Sequence, residues 1–395
     1  MLTVDAALAR LLEAAAAVSE REVVTADSAL GRILASPLVA GVDVPPLDNS
    51  AMDGYALNTA DWAEGRWLKV GQRITAGSVG RPLVPGEAAR IFTGAPIPPG
   101  ADTVAMQEDC EVNGDAVLVK RPAVRAANIR RAGEDMAAGQ TVLAAGERLT
   151  PACLGVAASA GVTELSVYRP LRVAVFFTGD ELVAPGQPLK PGQIYNSNRA
   201  TITALLQGLG CELHDFGQVP DDLTATVATL EQAAREADVV ITSGGVSVGE
   251  EDHVKAAVER LGHITMWRVA MKPGKPLVYG RVGGADFLGL PGNPVSAFVV
   301  FCLFVRPFLL KRMGAAVRSP LRFDVPAGFT WPQPGKRREF LRARMEDGRA
   351  VLYPNQSSGV LTSVAWADGL VDLDIGRTVA PGDAVPFIPL TELTT

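Results

Sequence analysis

The chain has 395 residues, 48% apolar and 20% charged, with a formal charge of −6 and an isoelectric point near 5.3. That length exceeds one ordinary core and calls for two to four domains. The acidic balance disfavours a general binder of nucleic acid or anionic membrane, so an anionic ligand has to be held by local clusters of donors.

Cys110, Cys153, Cys211 and Cys302 are far apart and form no C-x-x-C pair, which points away from zinc or iron–sulfur ligation and toward free thiols in a reducing compartment. Residues 1–12 lack a basic-then-apolar leader, so a cytoplasmic location is expected. Residues 3–18 carry Leu8, Leu11 and Leu12 at helical spacing, with Thr3 and Asp5 as cap candidates, and predict an amphipathic helix. A second short helix is expected from Asp27 or Ser28 to just before Pro37.

From about residue 45 to 138 the short β-like runs 67–74, 88–92, 103–107 and 116–120 alternate with Gly and Pro, the pattern of a small β domain. Three dense polar motifs fall there: D-N-S-A-M-D-G-Y-A at 48–56, which includes Asp53; T-G-A-P from Thr93; and R-R-A-G-E-D, which ends on Asp135. Asx-type turns use the same residues, so each motif is either turn chemistry or part of a site. Residues 151–160 predict a helix of small residues closed by Gly161, followed by a strand at 163–168. Because 139–160 returns to the alanine-rich character of the N-terminus, the β region reads as an insertion.

From Leu171 strands and helices alternate: strands 173–177, 212–217 and 239–242, helices 199–209, 223–235 and 252–261, then strands 264–269, 277–279 and 287–290 and a long helix over 293–313. This order predicts a doubly wound α/β sheet. Its most apolar run, Ala297 to Val305, is nine residues long, too short to span a bilayer, and reads as a buried helix. After Gly314 short strands and Gly/Pro turns predict a second β module.

The stretch A-D-V-V-I-T-S-G-G-V-S-V-G-E-E-D-H, 237–253, is a buried-strand pattern that breaks into Ser243, Gly244 and Gly245. It is either a tight strand-to-helix turn or a loop whose backbone N–H groups, with the Ser243 and Ser247 hydroxyls, cradle a phosphate. Three other polar loops follow strands: Thr178 to Glu181, Met271 to Pro276, and Leu290 to Pro294 with Pro291, Gly292 and Asn293. Open α/β sheets bind ligands at such ends. Glu181, Asp221 and Asp252 suit Mg²⁺ beside a phosphate, although Asp221 or Asp222 has an alternative duty as a helix N-cap. Arg268, Lys272 and Lys275 suit an oxyanion or nucleotide phosphate. Arg338, Arg342 and Arg344 alternate on a strand, giving either a charged edge or an anion-binding face. The chain lacks the Walker, dinucleotide-binding, G-x-S-x-G and H-E-x-x-H motifs, and its three histidines are scattered. The residues alone therefore point to a phosphate-and-divalent-metal site on an α/β domain.

Seven motifs occur in one order: D-N-S-A-M-D-G-Y-A (48–56), F-T-G-A-P-I-P-P-G-A-D (92–102), N-I-R-R-A-G-E-D (128–135), T-G-D-E-L (178–182), S-G-G-V-S-V-G-E-E-D (243–252), M-K-P-G-K-P (271–276) and L-P-G-N-P-V-S (290–296). Together they resemble the molybdopterin molybdenumtransferases of the MoeA type, related to the E domain of gephyrin. The resemblance implies a four-domain plan: 1–44 with 139–170, an inserted β domain at 45–138, an α/β molybdopterin-binding domain at 171–316 and a β-barrel-like domain at 317–395. It implies Mg²⁺-assisted insertion of molybdate into adenylylated molybdopterin with release of AMP, in a homodimer, with the adenylyltransferase that supplies the intermediate as a candidate partner. Asp53, Thr93, Asp135, Glu181, Asp221, Asp252, Arg268 and Lys272 match the family's cleft residues by motif, with arginine at 268 where relatives carry lysine. Ser243, Gly244, Gly245, Ser247, Lys275, Pro291, Gly292, Asn293, Arg338, Arg342 and Ser358 would contact the ligand. Tungstate in place of molybdate, the adenylyltransferase itself, and a non-catalytic scaffold are the competing readings. The extra β modules argue against the second, and the lack of a fused adenylyltransferase domain argues against the third.

Overall fold

A computed structural model describes residues 1–245 and 253–394. Ser247 and Asp252 lie outside the described residues.

The central sheet orders its strands Glu212–Val219, Arg172–Thr178, Val239–Ser243, Ala285–Leu290, Pro276–Val282 and Gly262–Arg268. The first four run parallel, as the βα alternation requires, and the last two are antiparallel. The expected sheet is therefore mixed. The reversal has a local cause: Val282 pairs with Ala285 across Gly283-Gly284, with Gly283 at φ 56°, a glycine hairpin that brings the chain straight back. Alternate residues of the inner strands serve opposite layers. Val173, Val175, Phe177, Val239 and Ile241 pack on one face, and Ala174, Phe176 and Val240 on the other.

The helix over Pro294–Arg312 fills the first of those layers. By length and composition alone it could cross a membrane, but 78% of its most apolar window is buried inside the protein. It runs through Arg306 and Pro307 because a π-turn over Phe301–Val305 precedes them. Proline has no N–H and its ring crowds the carbonyl four residues back, and a wider turn there relieves both.

The N-terminal helix is Val4–Ala14, shorter than expected; the Thr3 hydroxyl caps it by accepting the Ala6 N–H at 3.2 Å. Beyond it Val18 N–H bonds to the Arg312 carbonyl, so the chain is drawn out along the long helix. The helix expected from residue 27 is only the single 3₁₀ turn Ala26–Ser28. Ala29 closes it, a turn follows with Gly31 at φ 77°, and Ile33 and Leu34 then bridge to Arg148 and Val167, which holds that stretch extended. Arg21–Thr25, not expected as a strand, pairs with Glu164–Tyr168, and Leu38–Val39 pairs with Thr141–Leu143. Between these paired segments lies a six-stranded sheet ordered Thr103–Met106, Gly54–Leu57, Glu87–Ile91, Trp67–Ile74, Ala116–Val119 and Cys110–Asn113.

The C-terminal sheet is ordered Met271–Lys272, Arg338–Glu346, Gly369–Leu373, Ala384–Pro389 and Phe323–Pro326, with Arg349–Leu352 also on Arg338–Glu346. The arginine row thus lies on an interior strand, and neither a solvated edge nor an open cationic face forms. Arg338 makes a fork to Asp372 (2.7 Å to each oxygen) and reaches Asp5. Arg342 is 1% exposed and donates to Ser363, Phe340 O and Ser357 O; burial pulls its guanidinium down to about 10. Arg344 donates to Trp366 O and stacks on its indole.

Asp238 fastens the central sheet to the segment that enters it. It accepts both Arg169 guanidinium nitrogens at 2.7 and 2.8 Å and the Arg172 backbone N–H at 2.9 Å. Burial alone would raise its pKa, but the arginine bonds outweigh burial and hold the carboxyl well below the usual carboxylate range. A carboxylate depressed in the fold stabilises above the unfolded-state pKa, about 3.9, and loses that contribution as pH falls toward the folded value. Asp238→Ala should cost about 2–4 kcal/mol in urea unfolding at pH 7. Asp238→Asn should flatten the acid limb of stability below about pH 4.

Candidate functional site

The four parallel strands deliver their carboxyl ends to one edge, and the register brings the next loop there too. Gly262–Arg268 is antiparallel to Pro276–Val282, which is antiparallel to Ala285–Leu290, so Gly262–Arg268 ends on the same edge. Thr178, Ser243, Leu290, Arg268 and the turn at Asp221 therefore face one region.

Ser243, 2% exposed, ties its own loop and the turn after Leu290 to the helix Ser197–Leu209. Its hydroxyl accepts the Asn198 amide at 2.7 Å and donates to Pro291 O at 3.0 Å, while the same amide reaches Gly292 O at 2.8 Å. Gly244 and Gly245 follow at φ 97° and 61°. A Cβ on Gly244 would stand 2.6 Å from the Thr178 carbonyl oxygen, and one on Gly245 would stand 2.7 Å from Val254 Cγ2. Side chains are excluded here by contact as well as by dihedral angle, which a plain turn does not demand. Asn198 was not singled out by the sequence; it stands next to Asn196, the helix cap, in a run that reads as ordinary capping chemistry.

Asp222, not Asp221, is the N-cap of Leu223–Glu236, accepting Ala225 N–H at 2.9 Å. Asp221 is left exposed at the sheet edge, where Thr178 donates to it at 3.3 Å. The Glu181 carboxylate folds back over Gly179, whose missing Cβ would lie 2.6 Å from Oε2. Two exposed carboxylates from two loops thus converge on the end of one strand. Hard oxygen donors with room for water suit Mg²⁺, which takes one or two carboxylates and completes its shell with water or phosphate. Among the described residues no group of three acidic, His or Cys side chains could hold an ion, so an all-protein cage is not what these residues offer.

Lys272 sits at the far end of this edge. Met271 and Lys272 pair with Arg338 and Glu339, which adds the loop to the C-terminal sheet. Lys272 Nζ donates to Glu339 at 2.9 Å, and Glu339 also accepts the Trp331 indole N–H at 2.8 Å. Lys275 and Arg268 are exposed on either side. Ser358 approaches from the C-terminal region and accepts the Val295 N–H just after Asn293. Glu339 and Trp331 escaped the sequence reading; a lone Glu next to Arg338 on a strand gives no sign of burial.

The three N-terminal motifs form a second group. Ser50 N–H bonds Ala95 O, Gly94 N–H bonds Ser50 O and Ala51 N–H bonds Asn128 O, so residues 48–56, 92–96 and 128–135 converge. Asp53 accepts both the backbone N–H and the hydroxyl of Thr93 at 2.8 Å. Those two bonds, with Arg90 nearby, hold its carboxyl below the ordinary value. Asp135 is exposed, its backbone N–H on Val44 O. Among the described residues no hydrogen bond or ion pair joins Asp53, Thr93 or Asp135 to the sheet-edge loops.

Three family models match in succession: the MoeA N-terminal region (domain I and II) over residues 2–161, the probable molybdopterin binding domain over 174–311, and the MoeA C-terminal region (domain IV) over 324–390. The molybdopterin molybdenumtransferase of Haemophilus influenzae is 44% identical over 316 residues, covering 80% of this chain and 78% of that one. Molybdopterin molybdenumtransferase 2 of Mycobacterium tuberculosis is 39% identical over 381 residues, 92% of each chain. The crystal structure of a molybdopterin biosynthesis MoeA protein from Pyrococcus horikoshii superposes with a TM-score of 0.85 at 28% identity, over 98% of this chain and 100% of that one. On sequence and on fold, the chain belongs to the MoeA family of molybdopterin molybdenumtransferases, a family of enzymes.

Proposed function

We propose that this protein inserts molybdate into adenylylated molybdopterin, cleaving the adenylate and releasing AMP. The observation that carries the reading is the knot of Ser243, Asn198 and the Pro291-Gly292 turn, beside which two side-chain-free residues and the exposed carboxylates of Glu181 and Asp221 gather around the strand end at Thr178. Backbone N–H groups at Gly244 and Gly245 suit a phosphate that must come close. Glu181 and Asp221, with Asp252, would hold Mg²⁺, which neutralises charge on a pyrophosphate as its anhydride bond breaks. Lys272, Lys275 and Arg268 supply the cationic side, where an oxyanion such as molybdate would be drawn. Glu339 keeps Lys272 in place and offsets its charge until an anion competes for it.

Asp53 and Thr93 contribute a fixed, ionised carboxylate, suited to orienting water or accepting a proton near the dithiolene. In a homodimer, the Asp53 and Thr93 group of one subunit would complete a cleft against the sheet edge of the other.

The test is AMP release from adenylylated molybdopterin and Mg²⁺, with molybdate, with tungstate and with neither. Molybdate-dependent release is the expected result, and the tungstate lane fixes the choice of oxyanion. Tight binding without release would make the protein a scaffold.

Glu181→Gln and Asp221→Asn should each slow AMP release at least tenfold and raise the Mg²⁺ concentration needed for half-maximal rate; unchanged Mg²⁺ dependence in both would remove the metal role. Thr93→Val deletes one of the two bonds to the Asp53 carboxylate while keeping the backbone donor. Carboxyl titration by NMR should then show the Asp53 pKa moving up toward its ordinary value, and the molybdate-dependent rate should fall.

A further inference from the structure

The segment after Trp331 builds a pocket of about 330 Å³ against Lys272 and Glu339. Trp331 exchanges both backbone hydrogen bonds with Val379, at 2.8 and 3.0 Å, and Gly335 O accepts Gly376 N–H at 2.9 Å, so both ends of the loop are fixed. Gly335 lets it close down, since a Cβ there would stand 2.9 Å from Glu339 Oε2. The remaining walls are Pro332, Gln333 and Pro334.

The chemistry inside is specific. Glu339 is 5% exposed, and each of its oxygens takes one donor, Lys272 Nζ on one and the Trp331 indole N–H on the other. Each oxygen keeps a lone-pair direction for another donor. While Glu339 holds Lys272, its carboxylate balances the Lys272 charge, 6.0 Å from the indole centroid, so the pocket presents no net positive charge. An indole, two proline rings and an acceptor edge instead match a flat ring with N–H groups along one side.

The pocket adjoins the sheet-edge site. Gly274, in the loop that carries Lys272, packs so closely on the long helix that a Cβ would meet Val300 Cγ2 at 2.5 Å and Ser296 O at 3.5 Å; that helix begins at the Pro291–Asn293 turn. We propose that the Trp331–Glu339 pocket receives a planar, N–H-bearing heteroaromatic ring of the substrate, its face on the indole and its donor edge toward the carboxylate. This rests on the transferase reading for the identity of the ligand, whose two candidate rings are the pterin and the adenine.

Free pterin-6-carboxylate and AMP, titrated separately into the full-length protein by calorimetry, separate the two sources. One of them is expected to bind. Trp331→Leu should weaken that probe roughly tenfold or more, whereas Trp331→Phe should stay within about threefold, because stacking needs an aromatic face. Glu339→Gln should also weaken it. If Trp331→Leu does not fold, quenching of tryptophan emission by the probe in the wild-type protein, set against Trp331→Phe with its four remaining tryptophans, reads the same contact. Equal affinity for wild type and Trp331→Leu, equal quenching with and without Trp331, or binding of neither probe at millimolar concentration would overturn the proposal. AMP release is measured independently, so a protein that binds the ring but never turns over would sink the transferase reading and leave the pocket standing.

Discussion

The close approach of Gly244 to the Thr178 carbonyl is the constraint on which the site depends. Two neighbouring parallel strands, paired Phe177 to Ser243, end together, and the loops that leave them must diverge or collide. With no side chain at 244 or 245 they can share the space. A hypothetical Cβ at 2.6 Å from a backbone oxygen measures how little room there is. Ser243 then uses its one hydroxyl as acceptor and donor at once, tying Asn198 and Pro291 to the same point. Without that knot the Ser243 loop, the helix that carries Asn198 and the Pro291–Asn293 turn would have no common frame.

A second constraint runs outward from the same edge. Lys272 belongs by sequence to the central α/β region, but it pairs with Glu339 of the C-terminal sheet, in the backbone and through its amine. Bringing a strand of one region into the sheet of another couples the loop chemistry of the first to the packing of the second. Glu339 is the hinge of this coupling, a nearly buried carboxylate with a lysine and an indole as its two partners.

The parallel core was legible because strands buried on both faces read as continuous apolar runs, and Val239 to Thr242 and Val173 to Phe177 are such runs. The break of the first of these at Ser243-Gly244-Gly245 was legible as well, since glycine readily takes the positive φ found at Gly244 and Gly245. The antiparallel end of the sheet was harder: three strands were legible in succession there, but their direction hangs on the Gly283-Gly284 turn, a two-residue signal. Arg21–Thr25 was missed for a different reason: it is short, charged at one end and mostly exposed, and it becomes a strand only by pairing far along the chain, Arg21 with Tyr168, 147 positions away. The arginines at 338, 342 and 344 were legible as a row, but not that Arg342 is buried and the other two half-buried against partners. Which face of a strand is covered depends on neighbours such as Asp372, Ser363 and Trp366 that periodicity cannot supply. In the same way Asn198 and Glu339 act through partners far along the chain, and no local pattern marks them.

The most direct test of the account is the affinity of Gly244→Ala for adenylylated molybdopterin, measured beside its thermal stability. The positive φ and the contact with Thr178 predict a protein that still folds, with a lowered melting temperature, and binds the substrate at least tenfold more weakly because the loops can no longer meet. Wild-type affinity in a folded Gly244→Ala protein would contradict the claim that this close approach builds the site.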